Sequence, residues 1–251
     1  MTHNILKLNA DKPEVLVIGF RAQLLQFNLP SINIAGVNVA VRSDPIKNLR
    51  VMFDPRMSMN AQVTNIVKAA NSHLINISRA RRFLITEAAK LAIHALVTSR
   101  LDYCNGILIG ISNRVLTQLQ NIQRTSARLI TNRRKFDSIT SDLIQLHWLP
   151  VKQRIDFKIL LLVYKALHNQ TPGEITNMLQ VNIRQRRLRS SCSSSHPLVE
   201  PHTRCVSFAD RSFSVYAPKI WNKLPEYKKV ISYEIFKSLL KAHLFHEVYQ
   251  Q

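Results

Sequence analysis

The chain has 251 residues, 46% of them hydrophobic, with 35 Lys+Arg against 15 Asp+Glu for a formal net charge of +20. That is enough apolar material for a real core in one or two domains, and the charge excess favours polyanions (RNA, DNA, acidic membrane faces) over neutral ligands. Only five glycines occur and no G-x-G-x-x-G or G-K-[ST] run is present, which argues against a phosphate-cradling glycine loop or a glycine-rich barrel. Three cysteines without a C-x-x-C pair fit a reduced intracellular setting, nuclear or cytoplasmic, and the opening MTHNILKLNADKPE is too polar for a signal peptide.

From Glu14 to about Asp54 the pattern predicts strands. EVLVIG is a short run rich in Val and Ile, INIAGVNVAV alternates as one half-buried strand, and NLRVMF follows a turn at Ser43–Pro45. These predict a small antiparallel sheet over residues 1–56. The period then changes to 3.6. Val63, Ile66, Val67, Ala70, Leu74 and Ile77 mark one amphipathic helix, and a second opens at Thr86 and runs through Leu91 and Ala95 to about Arg100. A third starts near Asn113, with Val115, Leu119, Ile122 and Leu129 on one face and Arg114, Arg124 and Arg128 on the other.

Next comes LHWLPVKQRIDFKILLLVYKALH. Pro150 suits a first helical turn, where its missing N–H has no intrahelical partner to lose. Ile155, Ile159, Leu162, Val163 and Ala166 then predict a buried stripe. The apolar run Ile159–Tyr164 is bounded by Lys158 and Lys165. A membrane span needs about 20 apolar residues, so this is expected to be a core helix with no membrane partner. Thr171-Pro172-Gly173-Glu174 reads as a further helix start. Residues 57–180 thus form a helical body. Residues 181–251 hold a loop rich in Arg and Ser and a last helix after Ser232 that buries Phe236, Leu239, Leu240 and Leu244. The fold class expected is α+β, mainly α.

Little of the sequence reads as catalytic. No carboxylate pair stands out, and Asp102-Tyr103-Cys104 reads as a packed turn because no base is placed beside it. Cys192, His196, His202 and Cys205 offer four zinc-type ligands, yet C-x3-H-x5-H-x2-C matches no structural zinc module, so no metal is expected. His243 and His246 read as surface residues of the last helix. The basic clusters are stronger signals. Arg114 to Lys135 holds Arg114, Arg124, Arg128, Arg133, Arg134 and Lys135 with no acid, and Arg184, Arg186, Arg187 and Arg189 form a second group. Cations at this density suit a phosphate backbone, bound without reading bases; each cluster is equally readable as a solvated face or a basic loop.

RLDYCNGILIGISNRVLTQLQNIQRTSARLIT, then LHWLPVKQRIDFKILLLVYKALHNQTP, resembles the C-terminal part of the reverse transcriptases of non-LTR retrotransposons, especially the jockey/CR1-like group. LRSS at Leu188–Ser191, FADRSFSVYAPKIWNKLP and FKSLLKAHLF extend the likeness in the same order along the chain. The start resembles the family stretch W-M-x-x-N-x-L-K-L-N-x-x-K-T-E just beyond the palm strands. On that correspondence Met1 is internal to a longer polyprotein, and the endonuclease, the fingers and the aspartate-bearing palm strands fall outside the matched residues. IKNLRVMFD resembles the primer-grip hairpin, and the helices after it would be the thumb and C-terminal region.

Lys12 matches a palm-proximal family lysine proposed as a general acid for pyrophosphate departure. Two departures weaken that match. Pro13 stands where Thr is usual, removing an N–H, and Arg50 where Gly is usual, a difficulty if the site needs positive φ. The resemblance implies a truncated RNA-directed DNA polymerase fragment from a transposable element. It would not be an enzyme as it stands, since the metal-holding palm carboxylates and the endonuclease fall outside the matched residues, and Mg²⁺ would belong only to the full-length parent. Residual, non-specific binding to RNA, DNA or RNA–DNA hybrids is expected. Three other readings stand beside it: a nucleic-acid-binding module adopted by a host, a clipped gene model of an active reverse transcriptase, and a translated relic that folds poorly.

Overall fold

The computed structural model describes residues 13–27, 29–34, 36–182, 197–203, 209–225 and 232–249. The chain divides into two compact units, Met1–Lys68 and Ala69–Gln251. It is α+β and mainly helical, as expected.

In the first unit, β1 (Val15–Leu16), β2 (Ser31–Ile34) and β3 (Val37–Arg42) form a three-stranded sheet in the order β1-β3-β2. The strand expected over INIAGVNVAV is instead a hairpin. Ser31 pairs with Ala40 and Ile34 with Val37, and Gly36 turns the chain at φ 86°. The alternation misled because both arms share the same period. The sheet is also not wholly antiparallel, since β1 runs parallel to β3. A short helix the sequence did not announce, α1 (Arg21–Gln26), follows β1.

NLRVMF is not one strand, as its period suggested, but part of a hairpin, the form that the resemblance of IKNLRVMFD implied: β4 (Ile46–Asn48) and β5 (Val51–Phe53) turn at Leu49–Arg50. Asp54 then anchors the entry to α2 (Asn60–Ala80). Its carboxylate accepts hydrogen bonds from the backbone N–H groups of Arg56, Ser58 and Met59 and from the Ser58 hydroxyl, at 2.9–3.1 Å. Gln62 on α2 reaches back to accept the Met52 N–H at 2.9 Å. Val39, Val51, Met59, Val63 and Ile66 are buried among this unit's described residues.

The second unit is built around α7 (Val151–Leu167), in which Val151, Ile155, Ile159, Leu160, Leu161, Val163, Tyr164 and Ala166 are all buried. The predicted stripe holds except at Leu162, which is half-buried, and it widens well beyond one face. Its exposed residues are Lys152 and Lys158, on a helix otherwise sunk into a larger body. Around it lie α4 (Ser99–Asp102), α5 (Asn113–Thr131), α9 (Phe213–Asn222) and α10 (Tyr233–Tyr249), while α3 (Thr86–Ile93), continued into α4 by a π-helical turn, His94–Thr98, packs on α5. Shorter pieces are α6 (Thr140–Gln145) and α8 (Gly173–Thr176); the helix expected after Thr171 is only this one turn.

The Tyr164 ring on α7 stacks on Phe236 of α10 at 4.5 Å, and Phe236 meets Trp221 of α9 at 5.8 Å. Such pairs add about 0.5–1.5 kcal/mol each beyond area burial. Gly110 carries a steric demand. It sits at φ 61°, and a Cβ there would lie 2.7 Å from Arg211 Cγ. Among the described residues no helix is long and apolar enough to cross a membrane.

Candidate nucleic-acid interface

The six cations from Arg114 to Lys135 lie on α5 and on the loop that leaves it. α5 is strongly two-faced. Val115, Leu119, Ile122, Ala127 and Ile130 are buried, whereas Arg114 and Arg124 stand in solvent and Arg128 is half-buried. The helix ends at Asn132 in the left-handed conformation, φ 54°, a residue type that tolerates it. The chain then turns through Arg133, Arg134 and Lys135, all exposed.

A residue the sequence reading passed over holds this end together. Arg81, just beyond α2, donates from Nε to the Leu129 carbonyl at 2.7 Å, from Nη2 to the Ile130 carbonyl at 3.0 Å and from Nη1 to the Leu84 carbonyl at 2.8 Å. The last carbonyls of a helix lack intrahelical partners and carry the negative end of its dipole, so a guanidinium fork is well matched to them. The R-R-F sequence at 81–83 was the only available signal, and nothing in it names a partner 48 residues away.

The loop cations are not equivalent. Arg133 Nε lies 3.3 Å from both carboxylate oxygens of Asp142, whose side chain is only 4% exposed. Arg133 therefore neutralises a buried acid and has a structural task of its own. Arg128 Nη2 donates to the Asp137 carbonyl at 3.4 Å, and its Nε has no partner among the described residues. Asp137 turns its carboxylate back onto the Arg134 N–H at 2.9 Å. Arg124 makes a long 3.4 Å contact to Asn121. Arg114, Arg124, Arg134 and Lys135 make no ion pair among the described residues, which leaves them available to an anion.

Lys12, Arg184, Arg186, Arg187 and Arg189 lie outside the described residues. So do Cys192, His196 and Cys205 of the zinc-type set; His202 is exposed. The base of the second basic segment is described. Val181 bridges Leu198, and Asn222 of α9 both donates to and accepts from the Leu198 backbone at 2.9 Å. Asp102 is held by Arg154 of α7, through Nε at 2.8 Å and through Nη2, so it acts as an ion-pair partner. Cys104 beside it is exposed, with φ 50°. His243 is half-buried on α10 and His246 is exposed.

Tyr216 on α9 donates to the Asp156 carboxylate on α7 at 2.6 Å. Burial, followed by this hydrogen bond and the charge of Asp156, raises the Tyr216 hydroxyl well above its ordinary range, and burial raises Asp156 despite the bond. Comparison of the chain with protein-family models, with curated proteins and with solved structures finds no match.

Proposed function

We propose that this chain binds nucleic acid through its phosphate backbone, as a thumb and post-thumb fragment of a non-LTR retrotransposon reverse transcriptase that does not itself add nucleotides. The observation that carries the binding reading is the set of cations at one end of α5 and in the loop after it, acid-free in sequence from Arg114 to Lys135, with Arg124, Arg134 and Lys135 exposed and in no ion pair among the described residues. Cations so displayed release condensed counterions when they meet phosphates, which gives affinity without base reading. The family assignment rests on the sequence resemblance alone. Under it the metal-binding carboxylates of polymerisation belong to strands outside the matched residues, so the role of this segment is to hold the template–primer.

Fluorescence anisotropy with unrelated DNA duplexes and RNA–DNA hybrids over a salt series tests the reading. Expected are similar affinities for all sequences and a linear fall of log K with log salt. No binding at low salt overturns it. Template-dependent extension by the purified chain with Mg²⁺ or Mn²⁺ overturns the non-catalytic part.

A further inference from the structure

Two exposed phenyl rings flank the cations described above. Phe83 is 75% exposed and Phe136 is 92% exposed. Each has a cation over its face: Arg82 Cζ at 4.6 Å from the Phe83 centroid, Lys135 Nζ at 5.6 Å from that of Phe136. A single exposed apolar residue needs no explanation. Here a basic run ending in Phe occurs twice, R-R-F at 81–83 and R-R-K-F at 133–136. The bonds of Arg81 to the Leu129 and Ile130 carbonyls bring the first to the end of α5 from which the second departs.

We propose that these two loops form a single-strand nucleic-acid site, with Phe83 and Phe136 stacking on unpaired bases while Arg82, Arg134 and Lys135 hold the adjoining phosphates. This rests on the nucleic-acid reading above and narrows it to one form of the ligand. Every unpaired base offers a flat π-face, so an exposed ring binds it with little sequence preference, and the cations supply the electrostatic half of the contact. Bases inside a duplex are already stacked on one another and cannot use the rings. The rings therefore discriminate strand state, which the cations alone cannot do. An acidic membrane surface would also attract cations beside apolar side chains, but interfacial anchors present a continuous apolar helix face. Here the rings stand on two separate turns, each overlaid by a charge.

The test is anisotropy with labelled oligo(dT), oligo(rU) and a mixed-sequence duplex, on wild type and on Phe83→Ala, Phe136→Ala, and the Leu and Trp variants at both positions. Both rings are exposed, so folding is retained; circular dichroism checks this. Each Ala variant should weaken single-strand binding about tenfold or more and leave duplex binding within about twofold. Leu should behave as Ala and Trp as wild type, because a π-face rather than apolar bulk is required. Unchanged single-strand affinity in the Ala variants, or equal losses on both strand forms, overturns the proposal and leaves the backbone-binding reading intact. Absence of all binding by wild type at low salt removes both. Ring-dependent binding to phosphatidylserine vesicles without a single-strand loss overturns it in favour of a membrane contact.

Discussion

Gln123 Nε2 donates to the Leu149 carbonyl at 2.8 Å from a side chain only 2% exposed. Its Oε1 accepts from Gln120 Nε2 at 2.8 Å, and Gln120 Oε1 accepts the Val151 N–H at 2.9 Å. This amide relay ties the Trp148-Leu149-Pro150 turn, and one of the partnerless first N–H groups of α7, to the buried face of α5. Replacing Gln123 with Leu keeps the volume but strands the Leu149 carbonyl. A loss of about 1–3 kcal/mol in unfolding free energy is expected. Urea titration with unchanged slope and a lower midpoint checks it.

Arg50 occupies the second residue of a two-residue hairpin at φ 65°, after Leu49 at φ 46°. Both values are those of a type I′ turn, whose usual residues are Asn-Gly. Left-handed backbone costs a side-chain-bearing residue roughly 1–2 kcal/mol and glycine almost nothing. Arg50→Gly should therefore protect the β4–β5 amides more strongly in hydrogen exchange, and Leu49→Asn with Arg50→Gly more strongly still. Lower protection would mean a different turn.

Arg81→Lys retains the charge but cannot form the planar fork to the Leu129, Ile130 and Leu84 carbonyls. A destabilisation of about 2 kcal/mol is expected, in line with losing charge-assisted hydrogen bonds to partly buried carbonyls. The last turn of α5 should also exchange its amides faster. A variant as stable as wild type would show that water replaces the guanidinium without loss.

The His94 pKa is lowered, first by burial and then by Arg154 and Lys90, against a raising contribution from Asp102. Unfolded histidine titrates near 6.5. The unfolded chain thus takes up this proton at higher pH than the folded one, so acidification from about pH 7 draws the equilibrium toward unfolding until the folded imidazole is also protonated. Asp156 acts in the opposite sense in more acidic solution, because its raised carboxyl gains its proton first in the folded state. Thermal melts from pH 7.5 to 5 should show a falling Tm in wild type and a flatter line in His94→Phe. Parallel lines would rule out His94 as the origin.

Arg134→Ala combined with Lys135→Ala should lower the log–log salt slope on duplex DNA by about two units, at about 0.9 per phosphate contact. Arg133 is left in place because removing it would strand buried Asp142. An unchanged slope in the folded double variant would put the phosphate contacts elsewhere on the surface.

Periodicity marked α2, α5, α7 and α10 because an amphipathic helix repeats its apolar residues locally, every three or four positions, whatever it packs against. It failed where the signal was not local. INIAGVNVAV carried the period of a strand through what is a hairpin, and Leu49-Arg50 turn the chain with residues that disfavour the turn, so no Gly or Asn marked it. α1 and α6, six residues each, are too short to display a period, and α9 contains Pro218.

The sequence by itself determined that this is a basic, mainly helical protein with a cored α7 and an acid-free cationic stretch from Arg114 to Lys135, because charge and helical period are properties of neighbouring residues. Only the tertiary structure decided which of those cations are available. Arg133 meets Asp142 nine residues on, and Arg81 meets carbonyls 48 and 49 residues away. Such pairings are fixed by how the turn at Arg81–Phe83, α5 and α6 come together and leave no local trace. The same packing brought two Phe-bearing basic turns to one end of α5, a juxtaposition that no spacing along the chain expresses.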